Sequence, residues 1–235
     1  MKTRNSAFSV ALVSLLAASS GSLAAHAADF PFFGESSSST LKASSQETLY
    51  LSIVDGLIKQ NRQGAALAFL DSYRQTGQTL SPRYWLLRGN ALLGAQRDTE
   101  AMEAFSELRK TPLAAQGWNG QGRIAAGNDD WLAASECFRK AVDNDPANAD
   151  FLNNLAFAEL HLDNADNAAL RLQQAHELEP GSDRILTNLV IALILKGDRV
   201  RADAIIDSIR DVGRRDALRG VVKGAVAALS TKGKI

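Results

Sequence analysis

The sequence has only one cysteine, Cys137, among its 235 residues. A single thiol cannot form an intramolecular disulfide, so packing has to supply the stability of the fold. Histidine is scarce too: beyond the N-terminal region only His161 and His176 occur, and neither has a cysteine nearby. Because a zinc site needs several converging nitrogen or sulfur ligands, we expect no metal site and no cofactor.

No charge of one sign predominates, since 26 lysines and arginines balance 26 aspartates and glutamates. A chain without excess positive charge is not typical of a nucleic-acid-binding protein, so no nucleic acid is expected as a partner. The balance is uneven, because residues 199–235 hold nine lysines and arginines against four aspartates. This basic segment is interpreted as a solvated helix face, with contact to an acidic partner or a membrane surface as the alternative.

The sequence also lacks a set of converging catalytic groups, so we predict that the protein is not an enzyme and has no small-molecule substrate. Gly120, Gly122 and Ala125 match a G-x-G-x-x-A dinucleotide-binding pattern. That pattern requires a strand before the glycines and a helix that begins among them, whereas Trp118 already lies inside a predicted helix. The glycines are therefore interpreted as helix-packing residues, and Cys137 is interpreted as a packing residue too.

The only hydrophobic run suited to export lies at the N-terminus, where residues 1–27 are typical of a secretory signal peptide. Lys2 and Arg4 precede the apolar stretch Ala7–Leu23, and Ala25-His26-Ala27 is a small-x-small cleavage site. We predict cleavage directly after this site and an exported, periplasmic protein; a retained membrane helix is the alternative. No cysteine stands at the cleavage point for a lipid anchor, so membrane association, including any with the outer membrane, is expected only through partners.

The following segment, 28–45, contains the cluster Phe30-Pro31-Phe32-Phe33 and the serine run Ser36–Ser39. Serine-rich sequence buries too little apolar surface to offset the entropy of ordering, so we predict a flexible linker. Three exposed phenylalanines on such an arm would favour docking against another surface.

From about Thr48 onward, apolar residues recur at helical spacing and no strand-like alternation is present. The pattern has a period of 34 residues, and similar matches at spacings of 33 to 35 extend it on both sides. Five helix pairs result. The clearest correspondence joins Trp118, Gly122, Ala134, Phe138, Ala141 and Pro146 to Leu152, Ala156, Ala168, Leu172, Ala175 and Pro180.

This pattern resembles that of the tetratricopeptide repeat (TPR). The resemblance implies an all-α TPR solenoid of about five antiparallel helix pairs over residues 46–212. Small residues such as Gly122 would let paired helices approach closely, and prolines such as Pro146 would end each second helix.

A C-terminal capping helix is predicted over residues 213–230, followed by a tail at 231–235. A stack of helix pairs leaves its last apolar face bare unless something covers it. A partner-binding amphipathic helix is the alternative interpretation. The apolar stripe of this segment comprises Leu218, Val221, Val222, Ala225, Val226 and Leu229.

In TPR proteins, defined positions on the first helix of each repeat face a concave groove that binds partners, and the resemblance carries these positions onto this sequence. Asn154 and Asn188 occupy equivalent places, where their carboxamides would either bind an extended peptide or join neighbouring helices. An exposed apolar patch is expected toward the C-terminal end of the groove, to be occupied by a partner segment, the C-terminal helix or the Phe30–Phe33 arm. The predicted patch comprises Phe157, Leu160, Ile191, Ile194 and Leu195, and the other predicted groove residues are Gln116, Asn119, Arg123, Asn153, Asn154, His161, Arg184, Thr187 and Asn188.

About residues 84–210 further resemble the TadD-like proteins, the TPR component of the tight-adherence (Flp-type) pilus assembly machinery of bacteria. The resemblance rests on Leu87–Leu93, on Asn153-Asn154-Leu155-Ala156, and on Asn188-Leu189 followed by Ala192–Gly197. It implies a non-catalytic periplasmic scaffold whose partners are secretin or pilus assembly components. Members of that family are commonly lipoproteins, whereas this chain lacks the lipid-attachment cysteine. The alternative function is a periplasmic chaperone or an adaptor for cell-envelope enzymes.

Overall fold

The computed structural model describes residues 35–232 of the chain, with side chains from 46 to 230. All regular elements in this range are helical. The predicted signal peptide, the Phe30–Phe33 arm and the last residues of the predicted tail lie outside it. The helices of the described range are α1 (Glu35–Lys59), α2 (Gln63–Gln75), α3 (Pro82–Gly94), α4 (Asp98–Ser106, continued by a 3-10 turn over Glu107–Lys110), α5 (Ala114–Gly127), α6 (Trp131–Asn144), α7 (Ala149–His161), α8 (Ala165–Leu178), α9 (Asp183–Lys196), α10 (Arg199–Ser208) and α11 (Val212–Lys232).

The chain divides into two compact units, residues 1–41 and 42–235. Of the first unit, the structure describes residues 35–41, which are helical. The second unit contains the repeats: the part of α1 from residue 42 onward pairs with α2, α3 with α4, α5 with α6, α7 with α8 and α9 with α10, and α11 follows the last pair. The prediction of an all-α solenoid of five antiparallel helix pairs with a C-terminal capping helix is confirmed.

Helix α1 starts at Glu35, so residues 35–45, for which the sequence predicts a flexible linker, are helical in the structure. Leu51, Val54 and Leu57 are buried and hold the second half of α1 in the hydrophobic core. Once that half is helical, each further residue extends the helix without a new nucleation cost. Residues 35–45 contain no glycine or proline that would stop the extension.

The turn between the two helices of each pair has the same backbone conformation in all five pairs. In the third pair, the amide of Asp130 donates to the carbonyl of Ala125 at 3.0 Å, which is the hydrogen bond of a Schellman C-cap. Because the left-handed residue recurs every 33 to 35 positions, the turn geometry follows the sequence period. The left-handed residues are Asn61, Gln96, Asp129, Asp163 and Gly197, with φ between 57° and 93°.

Glycines allow α3 and α5 to pack closely against aromatic rings. A Cβ atom at Gly120 would lie 2.5 Å from the ring of Phe105, and one at Gly89 would meet the same ring at 2.5 Å. Phe105 belongs to α4 and is fully buried, so its ring is held between α3 and α5. Gly122 is related in the same way to Phe138 of α6, where a Cβ atom would lie 2.6 Å from the ring. The glycines of the G-x-G-x-x-A match therefore serve helix packing.

Helix α11 covers the C-terminal end of the hydrophobic core. Leu218 and Val222 are buried in one cluster with Ile185 and Leu189 of α9. Val221 of the predicted stripe is instead 59% exposed and lines an open cleft with Leu186 and Thr187 of α9. The remaining stripe residues, Ala225, Val226 and Leu229, are partly buried against the same cluster.

We expect Gly120→Ala to destabilise the protein by about 2 kcal/mol, although alanine favours a helix over glycine by about 1 kcal/mol. The added methyl group would overlap the ring of Phe105, which is fully buried between two helices. Overpacking typically costs about 1–3 kcal/mol, and a contact this short belongs at or above the upper end of that range. Urea unfolding followed by circular dichroism measures the change.

The matched control is Gly56→Ala in α1, where a Cβ atom would meet nothing within 4 Å. This substitution should raise the free energy of unfolding by about 0.5–1 kcal/mol. Equal effects of the two substitutions would contradict the packing role of Gly120.

Candidate functional site

The odd-numbered helices line the inner side of the solenoid. Helix α3 contacts α5, and α7 contacts α9, whereas no comparable contact joins two even-numbered helices in the described range. In a curved stack of helix pairs, helices on the concave side lie closer together than those on the convex side. We call the surface formed by α3, α5, α7 and α9 the inner face.

Four asparagines join the inner-face helices of three consecutive repeats. The carboxamide of Asn154 on α7 donates to Oδ1 of Asn119 on α5, and that of Asn188 on α9 donates to Oδ1 of Asn153 on α7, each at 2.9 Å. Asn119 and Asn153 are 34 residues apart, as are Asn154 and Asn188, so one hydrogen bond is repeated with the sequence period. We call this set the carboxamide ladder. Its hydrogen bonds join neighbouring helices, which is one of the two roles expected for Asn154 and Asn188.

Two arginines bring positive charge to the inner face beside the ladder. Arg123 on α5 is exposed and donates from Nη1 to Oδ1 of Asn90 on α3 at 3.1 Å. The helices packed around Arg123 lower the pKa of its guanidinium by desolvation, but an arginine keeps its charge at neutral pH. Arg184 on α9 forms an ion pair with Asp150 on α7 and donates to Oδ1 of Asn154 at 3.4 Å. Arg123 has no ion pair among the described side chains, so it presents a charge that a partner's carboxylate could neutralise.

An aromatic cluster stands where the third and fourth repeats meet. The indole of Trp131 stacks on the imidazole of His161, with ring centroids 3.6 Å apart and ring planes 9° apart. Phe157 meets both rings edge-on, with centroid distances of 5.7 Å to Trp131 and 4.8 Å to His161. Phe157 remains 38% exposed, so it offers an apolar contact beside the polar ladder.

Sequence reasoning missed Trp131 because this residue starts α6, a helix of the outer side. Its equivalents in the neighbouring repeats are Asp98 and Ala165, so it is not part of the repeat pattern. The sequence cue nearest to Trp131 is Asp130, a residue type that is favoured at the N-cap of a helix. In the structure the carboxylate of Asp130 accepts a hydrogen bond from the amide of Ala133 at 3.0 Å and caps α6. That signal locates the start of α6 but not the ring against which Trp131 stacks.

The prediction of an exposed apolar patch is wrong. Leu160 and Ile191 are only 2% and 5% exposed and belong to the hydrophobic core. Ile194 and Leu195 are partly buried against the same core. The physical reason is the hydrophobic cluster that α7, α8, α9, α10 and α11 build together, because its apolar side chains enclose these residues. Phe157 is the exposed member of the predicted set.

Two further predicted groove residues lie apart from the ladder. Gln116 lines a cleft with Pro112 and Asn144 at the N-terminal end of α5. Thr187 is half-buried, and its hydroxyl donates to the carbonyl of Asp183 in its own helix at 2.6 Å. The structure therefore brings together the asparagines, Arg184, Phe157 and His161 of the predicted set, while Gln116 and Thr187 bond or pack elsewhere.

A partly buried ion pair links the two helices of the fourth repeat. Nε of Arg171 on α8 donates to both carboxylate oxygens of Glu159 on α7, at 2.9 and 3.0 Å. Burial raises the pKa of Glu159, and the nearby Arg171 acts in the opposite direction. Burial also raises the pKa of the Cys137 thiol, which agrees with a packing role because a reactive cysteine has a lowered pKa.

Within the described part of the chain, no group of three or more histidine, cysteine, aspartate or glutamate side chains is placed to hold a metal ion. The helices of that part include none with the length and apolar character needed to span a bilayer. The chemistry that the inner face does offer includes hydrogen bonding, the accessible guanidinium of Arg123 and the exposed ring of Phe157.

Comparisons with known sequences agree with the repeat architecture. The family model described as tetratricopeptide repeat matches residues 57–117 and 119–183, together more than half of the chain. A TPR repeat-containing protein of Pseudomonas aeruginosa is 29% identical over 167 residues. That match covers 70% of this chain and 65% of the relative, so the chain spans slightly less than two thirds of the relative's length.

Solved structures of TPR proteins share the fold. TTC0263, a thermophilic TPR protein of Thermus thermophilus, has a TM-score of 0.59 at 19% identity and covers 77% of this chain and 99% of its own. MamA of Desulfovibrio magneticus has a TM-score of 0.57 at 18% identity, with coverages of 71% and 94%. YrrB, a TPR protein with an unusual peptide-binding site, has a TM-score of 0.51 at 17% identity, with coverages of 73% and 85%. At these identities the likeness concerns the fold.

We expect Asn188→Ala to lower the free energy of unfolding by about 1–3 kcal/mol, because it leaves the buried Oδ1 of Asn153 without its donor. The control on the same helix is Thr187→Ala, whose hydroxyl bonds only the carbonyl of Asp183 and which should change stability by about 0.5 kcal/mol or less. Urea unfolding of both variants measures the difference. If the two variants were equally stable, the ladder would not contribute to the packing of α7 against α9.

Proposed function

Because the chain belongs to the tetratricopeptide-repeat family, whose fold serves as a scaffold for protein–protein interaction, we propose that it is an exported scaffold that binds a partner protein through its inner face. We further propose that it acts in the assembly of a Flp/Tad-type pilus or secretion complex. The observation that supports the binding mode best is the exposed ring of Phe157 beside the carboxamide ladder.

Arg123 and Phe157 are 34 residues apart and occupy the same repeat position on α5 and α7. A partner segment that crosses these two helices would therefore meet both side chains. Such a segment needs a carboxylate to pair with Arg123 and an apolar side chain to pack on Phe157. YrrB, described as a TPR protein with an unusual peptide-binding site, is a precedent for peptide binding on this fold.

The pilus assignment is supported by the resemblance to TadD-like proteins. Three residues that carry it, Asn153, Asn154 and Asn188, belong to the carboxamide ladder. Export is supported by the signal-peptide pattern of residues 1–27. The burial of Leu160 and Ile191 disfavours the chaperone alternative, because a holder of unfolded clients needs a broad apolar surface.

The test of the proposed function is deletion of the gene in its native bacterium, followed by complementation with variants. We expect deletion to abolish surface pili and wild-type complementation to restore them. Phe157→Asp should fail to restore them, because a carboxylate in the apolar contact weakens partner binding by about tenfold or more, which corresponds to about 1.4 kcal/mol. Sheared surface fractions probed for pilin measure the outcome.

Leu170→Asp is the matched control, since Leu170 is 59% exposed on α8, an outer helix. It should restore pili fully at the same protein level. Normal piliation of the deletion strain would overturn the pilus role, and full restoration by Phe157→Asp would overturn the inner-face binding mode.

The same strains test export. N-terminal sequencing of the protein from the periplasmic fraction should begin at Ala28. An intact N-terminus on protein recovered from the cytoplasm would contradict export.

A further inference from the structure

The last step of the helix stack differs from the earlier ones. At every earlier step, the second helix of a pair packs extensively against the first helix of the next pair, as α8 does against α9. Helix α11 contacts α10 only slightly and packs mainly against α9. The surface of α10 that would receive the next helix is therefore left partly uncovered.

A cleft of about 370 Å³ occupies this place between α10 and α11. Apolar side chains of α10, of α11 and of the C-terminal end of α9 form its walls. Ile206 and Val222 are buried at its base. The lining comprises Ile194, Ile206, Val222, Val226 and Ala227 as apolar residues and Arg199, Asp203, Arg219 and Lys223 as charged residues.

Positive charge predominates at the rim of the cleft. Three cations face a single carboxylate, that of Asp203. Arg219 is paired with Asp207 at 2.8 Å and with Asp216 at 3.7 Å, while Arg199 and Lys223 form no ion pair with any described side chain. An apolar base with two such cations at its edge complements a ligand that is apolar on one side and negatively charged beside it.

We propose that the α10–α11 cleft is a second docking site, separate from the inner face, for an acidic amphipathic helix of a partner protein. A helix fits because this surface of α10 is equivalent to the surfaces of α2, α4, α6 and α8 against which the next helix packs at each earlier step of the stack. An extended peptide is disfavoured, since the lining of the cleft contains no asparagine or glutamine whose carboxamide could pair with a peptide backbone. The partner helix places its apolar stripe on Ile206, Val222 and Val226 and its carboxylates against Arg199 and Lys223.

The test uses the full chain and two fluorescent synthetic helices with the same leucine stripe, one flanked by glutamates and the other by lysines. We expect the acidic helix to bind at least about tenfold more tightly, because like charges at the rim oppose the basic helix. Fluorescence anisotropy at low and high salt measures both affinities, and the preference should shrink as salt is added.

Lys223→Glu should weaken binding of the acidic helix by about tenfold or more. The matched control is Arg201→Glu, because Arg201 lies on α10, the helix opposite Lys223 in the cleft, but pairs with Asp198 and contacts Gln173 outside the cleft. This control should bind the acidic helix as the wild type does. Thermal unfolding of both variants checks that the substitutions leave the fold intact.

Three results would overturn the proposal. Equal affinity for the two synthetic helices would show that the cleft has no charge preference. Lys223-dependent binding to vesicles that contain anionic phospholipid, without binding of the acidic helix, would assign the cleft to a membrane surface. Self-association of the chain that Lys223→Glu abolishes, again without binding of the helix, would assign it to a second copy.

Discussion

Close contact between glycines and buried aromatic rings sets the helix spacing on which the inner face depends. The ring of Phe105 fits between α3 and α5 only because Gly89 and Gly120 have no side chain there. The equivalents of Gly120 in the next two repeats are Asn154 and Asn188. One repeat position thus serves aromatic packing in the third pair and hydrogen bonding in the fourth and fifth.

The hydrogen bonds of the carboxamide ladder fix the position of each repeat along its neighbour. Each of its two long-range bonds joins helices of successive pairs at 2.9 Å, and a buried polar group pairs only in a particular geometry. A surface held in this way is ordered before a partner arrives, so less conformational entropy is lost on binding. The ladder orders the inner face, while Arg123 and Phe157 remain accessible to a partner.

The sequence predicted the number of helix pairs because a 34-residue period survives in residues that pack, such as Gly122 and Phe138. It also placed Asn154 and Asn188 correctly on one face, since repeat position determines the direction in which a side chain points. Repeat position does not determine what lies over that side chain, which is why the burial of Ile191 in the core that α11 completes was not foreseen.

Two other features lay outside the repeat pattern altogether. The stacking of Trp131 depends on a residue that has no aromatic equivalent in neighbouring repeats. The extension of α1 through residues 35–45 depends on a helix already anchored by packing further along the chain. Cooperative effects of this kind arise from tertiary contacts, so local composition does not reveal them.

The most direct test of the central claim, that partners bind on the inner face, is photo-crosslinking in living cells of the native bacterium. A photoreactive phenylalanine analogue is placed at position 157 on the inner face or at position 170 on the outer side. We expect crosslinks to a discrete partner from position 157 and none from position 170. Crosslinks from position 170 without any from position 157 would contradict the claim.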